Sequence, residues 1–323
     1  MLSDNWENVP QESMRVGFGR GMVAAGRADQ RVVALSADLS ESTQVSQFQQ
    51  AFPDRYIEVG VAEQNLVTVA SGLAMAGKKP FAASYAVFSP GRNWEQIRTT
   101  ICLNEQPVVI VGSHAGISVG PDGATHQMLE DIALMRSLPH MTVVAPGDSA
   151  EAEQVAQALA VHEGPSYVRL SRDKTPVFLS DEPFAIGRAR VLRDGSDVAL
   201  FGTGTMTHRL LLAAERLAEQ GVEAEVVHIP TIKPLDEGNI LASAKKCGRV
   251  VTAEEGQIAA GFGGAVAELL SGVLPMPVKR IGIDDQYGQS GTSEELFNHY
   301  ELTDEQITAQ ILTFIHAMPQ YHR

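Results

Sequence analysis

A chain of 323 residues, 44% hydrophobic and 20% charged, is long enough for two domains with sizeable cores and too apolar for disorder. Its formal net charge of −14 argues against nucleic acid or an anionic membrane surface as partner, because either demands a basic patch that displaces counterions. Any bound anion must therefore meet a few placed basic residues. Two cysteines, Cys102 and Cys247, lie far apart without CxxC or His/Cys ligand spacing, which indicates neither a zinc site nor a disulfide framework and fits a reducing cytoplasm.

The opening stretch "MLSDNWENVPQES" has no basic segment followed by an apolar core, and no apolar run approaches roughly 18 residues, so neither secretion nor a membrane span is predicted. From there, Ala- and Leu-rich amphipathic stretches alternate with short β-branched runs. A helix is predicted over 13–27, a strand over 31–38, a helix over 63–77, a strand over 79–88 and a helix over 92–104. A strand over 106–114, a helix over 127–136, a strand over 141–148, a helix over 149–162 and a strand over 166–172 follow. This alternation implies right-handed crossovers and a mostly parallel sheet covered on both faces, with functional residues at the carboxyl ends of the strands.

Residues 174–190 carry prolines and changing polarity without sustained periodicity, which suits a linker. The boundaries drawn are a first domain over 1–180, a linker over 181–190 and a second domain over 191–323. In the second, "DVALFGTG" and "AEVVHIP" read as strands flanking the helical "MTHRLLLAAERLAEQG", and "RVVTAEEG" precedes the helical "GGAVAELLSGVL". Thr292 to Glu295 and Thr303 to Gln306 fit the capping-box pattern, so two helices begin there. The fold class is α/β: two domains, each with a mostly parallel sheet covered by helices. The glycines of "GTGTMTH", 202–208, lack a complete G-x-G-x-x-G pattern and an acidic ribose partner.

Asp38, His114, Asp122, His126 and Arg172 each fall at or just beyond the carboxyl end of a predicted strand, where one sheet edge can gather them. Each also has a plain reading: Asp38 as a helix cap, His114 as a satisfied strand-end histidine, Arg172 paired near Asp173. The loop "GPDGATHQ", 120–127, is explained on its own by turn chemistry around Pro121-Asp122-Gly123. Glu63 opens an almost uncharged helix rich in Val, Ala, Leu and Gly, a setting that disfavours an ionised carboxylate unless it is paired. Such a group can share a proton with a ligand nitrogen. Alternatively it sits in solvent at the positive end of the helix dipole.

Taken together, "RYIEVGVAEQN", "SYAVF", "GSHAGISVGPDGATHQMLEDIALMRSLPHMTVVAP" and "YVRLSR" resemble, in order, the pyrimidine-binding domain of transketolase, among the thiamine diphosphate enzymes. "TAEEGQIAAGFGGAVAELL" and "GIDDQYGQSGTSEEL" resemble that family's C-terminal domain, so the likeness covers nearly the whole chain. The GDG-to-Asn segment with which the family binds the Mg-diphosphate is absent from this sequence. The chain thus resembles the C-terminal half of a split transketolase.

The resemblance implies roles residue by residue. Glu63 matches the glutamate that bonds the aminopyrimidine ring nitrogen and favours the imino tautomer, whose imino group deprotonates the thiazolium carbon. Tyr85 and Phe88 match aromatics that pack on the pyrimidine, although as strand residues they also read as ordinary core. His126 matches a histidine facing the hydroxyls of the two-carbon fragment, and Asp122 an aspartate that binds a substrate hydroxyl. His114, Arg172, Arg15 and Ser42 fall on positions that hold a sugar phosphate, three of them cationic or potentially so. Asp38 matches an aspartate near the cofactor and dimer interface. A one-residue insertion in "SPGRNW" relative to some relatives leaves Arg92 unassigned.

The implied reaction transfers a two-carbon ketol unit from a ketose to an aldose, with thiamine diphosphate as cofactor and Mg2+ ligands on an N-terminal partner subunit. Two copies of each subunit, α2β2, is the implied assembly, with the second domain stabilising the dimer. Deoxyxylulose-phosphate synthases share "AEQ" and "DGxTHQ" but usually carry arginine where His114 stands. The β subunits of 2-oxoacid dehydrogenases have about this length, yet their loop does not read "GPDGATHQ". A non-catalytic structural or regulatory subunit is the reading of another class, opposed by the joint presence of Glu63, Asp122, His126 and the anion-binding set.

Overall fold

The computed structural model describes Leu2, residues 6–179 and residues 182–318. In chain order the first half forms β1 (Gln11–Ser13), α1 (Met14–Ala28), β2 (Val32–Ser36), α2 (Ser46–Ala51), β3 (Tyr56–Glu58), α3 (Glu63–Met75) and β4 (Lys79–Tyr85). It continues with α4 (Trp94–Gln96), β5 (Val109–Ser113), α5 (Asp131–Arg136), β6 (Thr142–Val144), α6 (Ser149–Val161), β7 (Ser166–Arg169) and β8 (Lys174–Pro176). The second half adds β9 (Arg190–Arg193), β10 (Val198–Gly202), α7 (Met206–Ala218), β11 (Ala224–His228), β12 (Thr231–Lys233) and α8 (Glu237–Cys247). It closes with β13 (Val250–Gln257), α9 (Phe262–Val273), β14 (Val278–Ile283), α10 (Ser293–His299) and α11 (Asp304–Ala317).

Two α/β sheets result. The larger has the order β12-β6-β7-β5-β4-β2-β3 and is parallel apart from β12. The smaller has the order β14-β13-β10-β11-β9 and is parallel apart from β9. Every residue of β2 and β5 is buried, as expected of strands covered on both faces and written as unbroken apolar runs. Glycines in α1 would weaken an isolated helix, but here they let α6 approach. A Cβ on Gly17 would stand 1.9 Å from the Ser149 carbonyl oxygen, and one on Gly21 would stand 2.2 Å from that of Glu153.

Several elements differ from the sequence pattern. The helix predicted over 92–104 is a short α4 followed by a π-helical turn over Ile97–Cys102, in which the Thr99 and Thr100 hydroxyls donate to the Glu95 and Gln96 carbonyls at 2.9 and 2.6 Å. The helix predicted from 127 starts at Asp131, because Met128 bridges Ala115 and its carbonyl accepts from Gly116 N at 2.8 Å. Within the predicted linker, β8 pairs antiparallel with β1. Ser180 and Asp181, at the predicted domain boundary, lie outside the described residues, as do residues 319–323 of the tail.

The two halves also share structure. β12 comes from the second half yet forms the edge of the first sheet, against β6. Glu151 at the start of α6 accepts from His228 Nε2 at 2.7 Å and pairs with Arg190 Nη2 at 3.3 Å, a link across the halves in which Glu151 and His228 are buried. Among the described residues, no helix is long and apolar enough to cross a membrane.

Candidate active site

Strand register brings the predicted residues to one edge. Ser36 pairs with Ala83 and Glu58, Tyr85 with Ser113, and Gly112 with Arg169. Asp38, Tyr85, His114 and Arg172 therefore leave neighbouring strands at the same, carboxyl, end, and α3 opens there with Glu63.

Glu63 is 2% exposed, so it does not occupy the solvated helix end that its position also allowed. Its Oε2 pairs with Arg92 Nη1 at 3.2 Å, which offsets the cost of burying the charge. Asn93, wholly buried, donates from Nδ2 to the Glu63 carbonyl at 2.7 Å and to Ser89 Oγ at 3.1 Å, tying the two segments together. The Arg92 guanidinium also stands over the Phe88 ring, 5.4 Å from its centroid. The insertion near Arg92 hides this partner from the sequence. Its only local signal is a cation seven residues after Tyr85, behind an aromatic strand end.

The aromatic groups form a continuous wall. Tyr85 and Phe88 stack with centroids 6.0 Å apart and planes at 12°, and Tyr85 lies 3.8 Å from the His114 ring. His126 meets both edge-on, at 5.6 Å from Phe88 and 6.4 Å from Tyr85. The position of His126 follows from its turn, in which its N–H donates to Gly123 O at 3.0 Å and its Nδ1 lies 3.0 Å from Thr125 Oγ1.

Beyond the wall, Arg15 organises the basic end. It donates from Nη1 to the Ser42 carbonyl at 2.5 Å, from Nη2 to the Arg172 carbonyl at 2.7 Å and from Nε to Ser13 Oγ at 3.1 Å. Ser42 thus takes part through its backbone oxygen. Arg15 Nη1 also lies 3.3 Å from His114 Nε2, and a guanidinium has only donors, so Nε2 accepts. The His114 proton then sits on Nδ1, which donates to Ser113 Oγ at 2.8 Å. Burial, with Arg15 and Arg172 adding repulsion, pushes His114 down to about 3. Of the three groups read as cationic or potentially so, two are arginines and the third is an imidazole that is neutral at neutral pH. Arg172 itself donates to Val119 O at 2.5 Å, bracing the segment that carries Asp122.

Contacts thus run unbroken from Glu63 through Arg92, Phe88, Tyr85 and His126 to His114, Arg15, Ser42 and Arg172. Among the described residues no hydrogen bond, ion pair or ring contact joins Asp38 or Asp122 to that run, and both are exposed. Asp38 has a left-handed backbone, φ 59°, and its N–H donates to Glu58 Oε1 at 2.8 Å. Glu58 also accepts from Gly60 N at 2.8 Å and Tyr56 OH at 2.6 Å, and burial with this carboxylate raises the Tyr56 phenol to about 12. Asp122 ends the 3-10 segment Ile117–Asp122.

That segment is gripped from the second half of the chain. Glu255, 2% exposed, accepts from Ser118 N at 2.7 Å and from Thr205 Oγ1 at 2.9 Å. Gln127 Nε2 donates to Gly120 O at 3.1 Å and to Gln289 O at 2.9 Å. Neighbouring Glu254 accepts the first N–H groups of α9, Phe262 and Gly263, both at 2.8 Å, while burial lifts its carboxyl to about 7. Sequence reading assigned neither glutamate, although two adjacent acids in the buried run "RVVTAEEG" were the available signal.

Residues 11–177 match the pyrimidine-binding domain of transketolase, and residues 187–307 match the transketolase C-terminal domain. A Methanocaldococcus jannaschii protein named as a transketolase C-terminal section is 43% identical over 305 residues, 93% of this chain and 96% of that protein. The 6-deoxy-6-sulfo-D-fructose transketolase subunit of Clostridium sp. (strain MSTE9) is 41% identical over 280 residues, 86% of this chain and 87% of its own length. A solved split gene transketolase, described as an inactive β4 tetramer, superposes with a TM-score of 0.88 at 42% identity, covering 94% of this chain and 98% of that one. By matches that together span most of its length, this chain belongs to the transketolase family.

Proposed function

We propose that the chain is one subunit of a two-component transketolase, which moves a two-carbon ketol unit from a ketose to an aldose, both with an anionic end. The observation that carries this reading is the buried Glu63 carboxylate at the head of an unbroken aromatic and basic run. Its chemistry suits thiamine diphosphate. Arg92 engages Oε2 and leaves Oε1 for the hydrogen-bonding edge of an aminopyrimidine, and Tyr85 and Phe88 offer flat faces to its ring. When bound, the cofactor would supply an acidic thiazolium carbon as nucleophile and the cationic ring as electron sink. Glu63 would hold or release a proton at the pyrimidine nitrogen, and Asp38, at the same sheet edge, would stand near the bound cofactor.

His126 orients the hydroxyls of the transferred fragment and exchanges protons with them, while Asp122 accepts from a hydroxyl of the sugar. Arg15 and Arg172 meet the anionic end, Ser42 fixes Arg15, and neutral His114 contributes shape and a hydrogen bond in place of charge. An N-terminal subunit, in an α2β2 assembly in the cytoplasm, carries the diphosphate and Mg2+. The relative solved as an inactive β4 tetramer supports the need for that subunit. The Clostridium relative is named for a sulfonated sugar, and two arginines receive a sulfonate as readily as a phosphate.

The test mixes the chain with an N-terminal subunit, thiamine diphosphate and Mg2+, and follows ketol transfer from phosphorylated and sulfonated ketoses. Turnover should appear only in the mixture. Glu63→Ala should abolish it while gel filtration shows unchanged assembly. Full turnover by Glu63→Ala, or by the partner without this chain, overturns the proposal, and decarboxylation of pyruvate in place of ketol transfer reassigns the reaction.

A further inference from the structure

A cleft of about 300 Å³ opens between the two halves of the chain, and none of Glu63, Tyr85, Phe88, His114 or His126 lines it. Arg209, on the first turn of α7, contributes its guanidinium, whose Cζ lies 3.8 Å from the centroid of the Phe297 ring. No acceptor among the described residues takes a hydrogen bond from that guanidinium. Burial works against its charge, and Glu255, Asp304 and Glu294 offset that only from a distance, since none of the three forms an ion pair with it, so the fork is desolvated with its N–H groups unpaired.

A second group in the same cleft is unpartnered. Ser118 is 3% exposed, and its Oγ has no hydrogen-bond partner. Lys174 stands exposed on the lining, where Asp173 is the one acid, while Glu255, Asp304 and Glu294 act on Arg209 from outside it. Glu255 nearby is occupied, with one oxygen on Ser118 N and the other on Thr205 Oγ1. Burial holds His208 below the usual histidine range, and its Nε2 contacts the Trp6 carbonyl at 3.3 Å.

We propose that this cleft is a second binding site, for a small ligand bearing a phosphate or carboxylate, with the Arg209 fork and Ser118 Oγ as its inner contacts and Lys174 at its rim. A guanidinium lying flat on an aromatic ring presents its N–H edge in the plane that a bidentate oxyanion needs. Such a ligand touches the segment leading to Asp122 without entering the aromatic wall, so its occupancy bears on the substrate loop from behind. The proposal does not rest on ketol transfer.

The experiment titrates the full chain with inorganic phosphate and, separately, malonate by calorimetry, and locates the anion with tungstate soaked into crystals. Tungstate is expected between Arg209 and Ser118. Arg209→Gln should weaken binding at this site at least about tenfold, as the loss of a charged hydrogen bond implies. Lys174→Gln, on an exposed side chain that folding does not need, should weaken it about threefold. The tighter of the two probes identifies the ligand's head group. Arg172→Ala should leave this density in place, which separates it from an anion at the Arg15 and Arg172 end. Absence of tungstate at Arg209, or binding unaltered by Lys174→Gln together with Arg209→Gln, overturns the proposal.

Discussion

Glu255 in β13 accepts the backbone N–H of Ser118 at 2.7 Å, across 137 positions of sequence, so the second half of the chain sets where the Asp122 segment lies. The two are in close contact: a Cβ on Gly116, whose φ is 86°, would sit 2.2 Å from Glu255 Oε1. Glu255→Ala is expected to raise KM for the sugar about tenfold, the effect of losing one charged hydrogen bond, while cofactor affinity stays the same. It should also speed amide exchange over residues 117–127. Glu255→Gln keeps an acceptor oxygen and should do less; equal exchange rates in all three proteins would remove the clamp.

Arg92 and Glu63 form a half-buried pair, with the carboxylate side inside and the guanidinium side chain 55% exposed. Arg92→Met strands the carboxylate and should cost about 1–2 kcal/mol in urea unfolding, less than for a fully buried pair. Glu63→Gln combined with Arg92→Met should cost less than the two single changes added together. Additive losses would mean that the pair is not coupled.

His114 gives the protein a defined response to acid. Its folded value is about 3 against an ordinary 6.5, so below pH 6.5 the unfolded chain takes up a proton that the folded chain refuses. Stability is therefore lost as pH falls from about 6.5 towards 3, with a slope of up to about 1.4 kcal/mol per pH unit from this group. His114→Asn should flatten that slope, measured as urea midpoints at several pH values. An unchanged slope would mean that other groups carry the acid response.

Arg172 lies at the basic end with its backbone oxygen on Arg15 and Nη1 on Val119 O. Arg172→Ala should lower kcat/KM for a phosphorylated acceptor about tenfold or more, the scale of a lost charge-assisted hydrogen bond, and touch an unphosphorylated one far less. Equal losses on both sugars would assign Arg172 to bracing the loop alone.

Much of the layout was legible in the sequence because its signals are local. Apolar runs and amphipathic stretches located β2, α3, β5, α6 and α7 to within a few residues, and Thr292 and Thr303 both form the complete capping boxes that their spacing predicted. Strand order along the chain also placed Asp38, His114 and Arg172 at one sheet edge, and the apolar character of α3 singled out Glu63. These features depend on residues a few positions apart, where periodicity and turn chemistry act directly.

Tertiary structure alone decided the partners. β12 joins the first sheet by antiparallel pairing with β6, which no local pattern announces. Arg15 reaches His114 from 99 residues away and, with burial, holds its pKa far below the usual histidine range. Arg92 closes on Glu63 from 29 residues away, and Glu255 on Ser118 from 137. A buried polar group must be satisfied, but which group satisfies it is set by the packing of whole elements, and that information is spread across the chain.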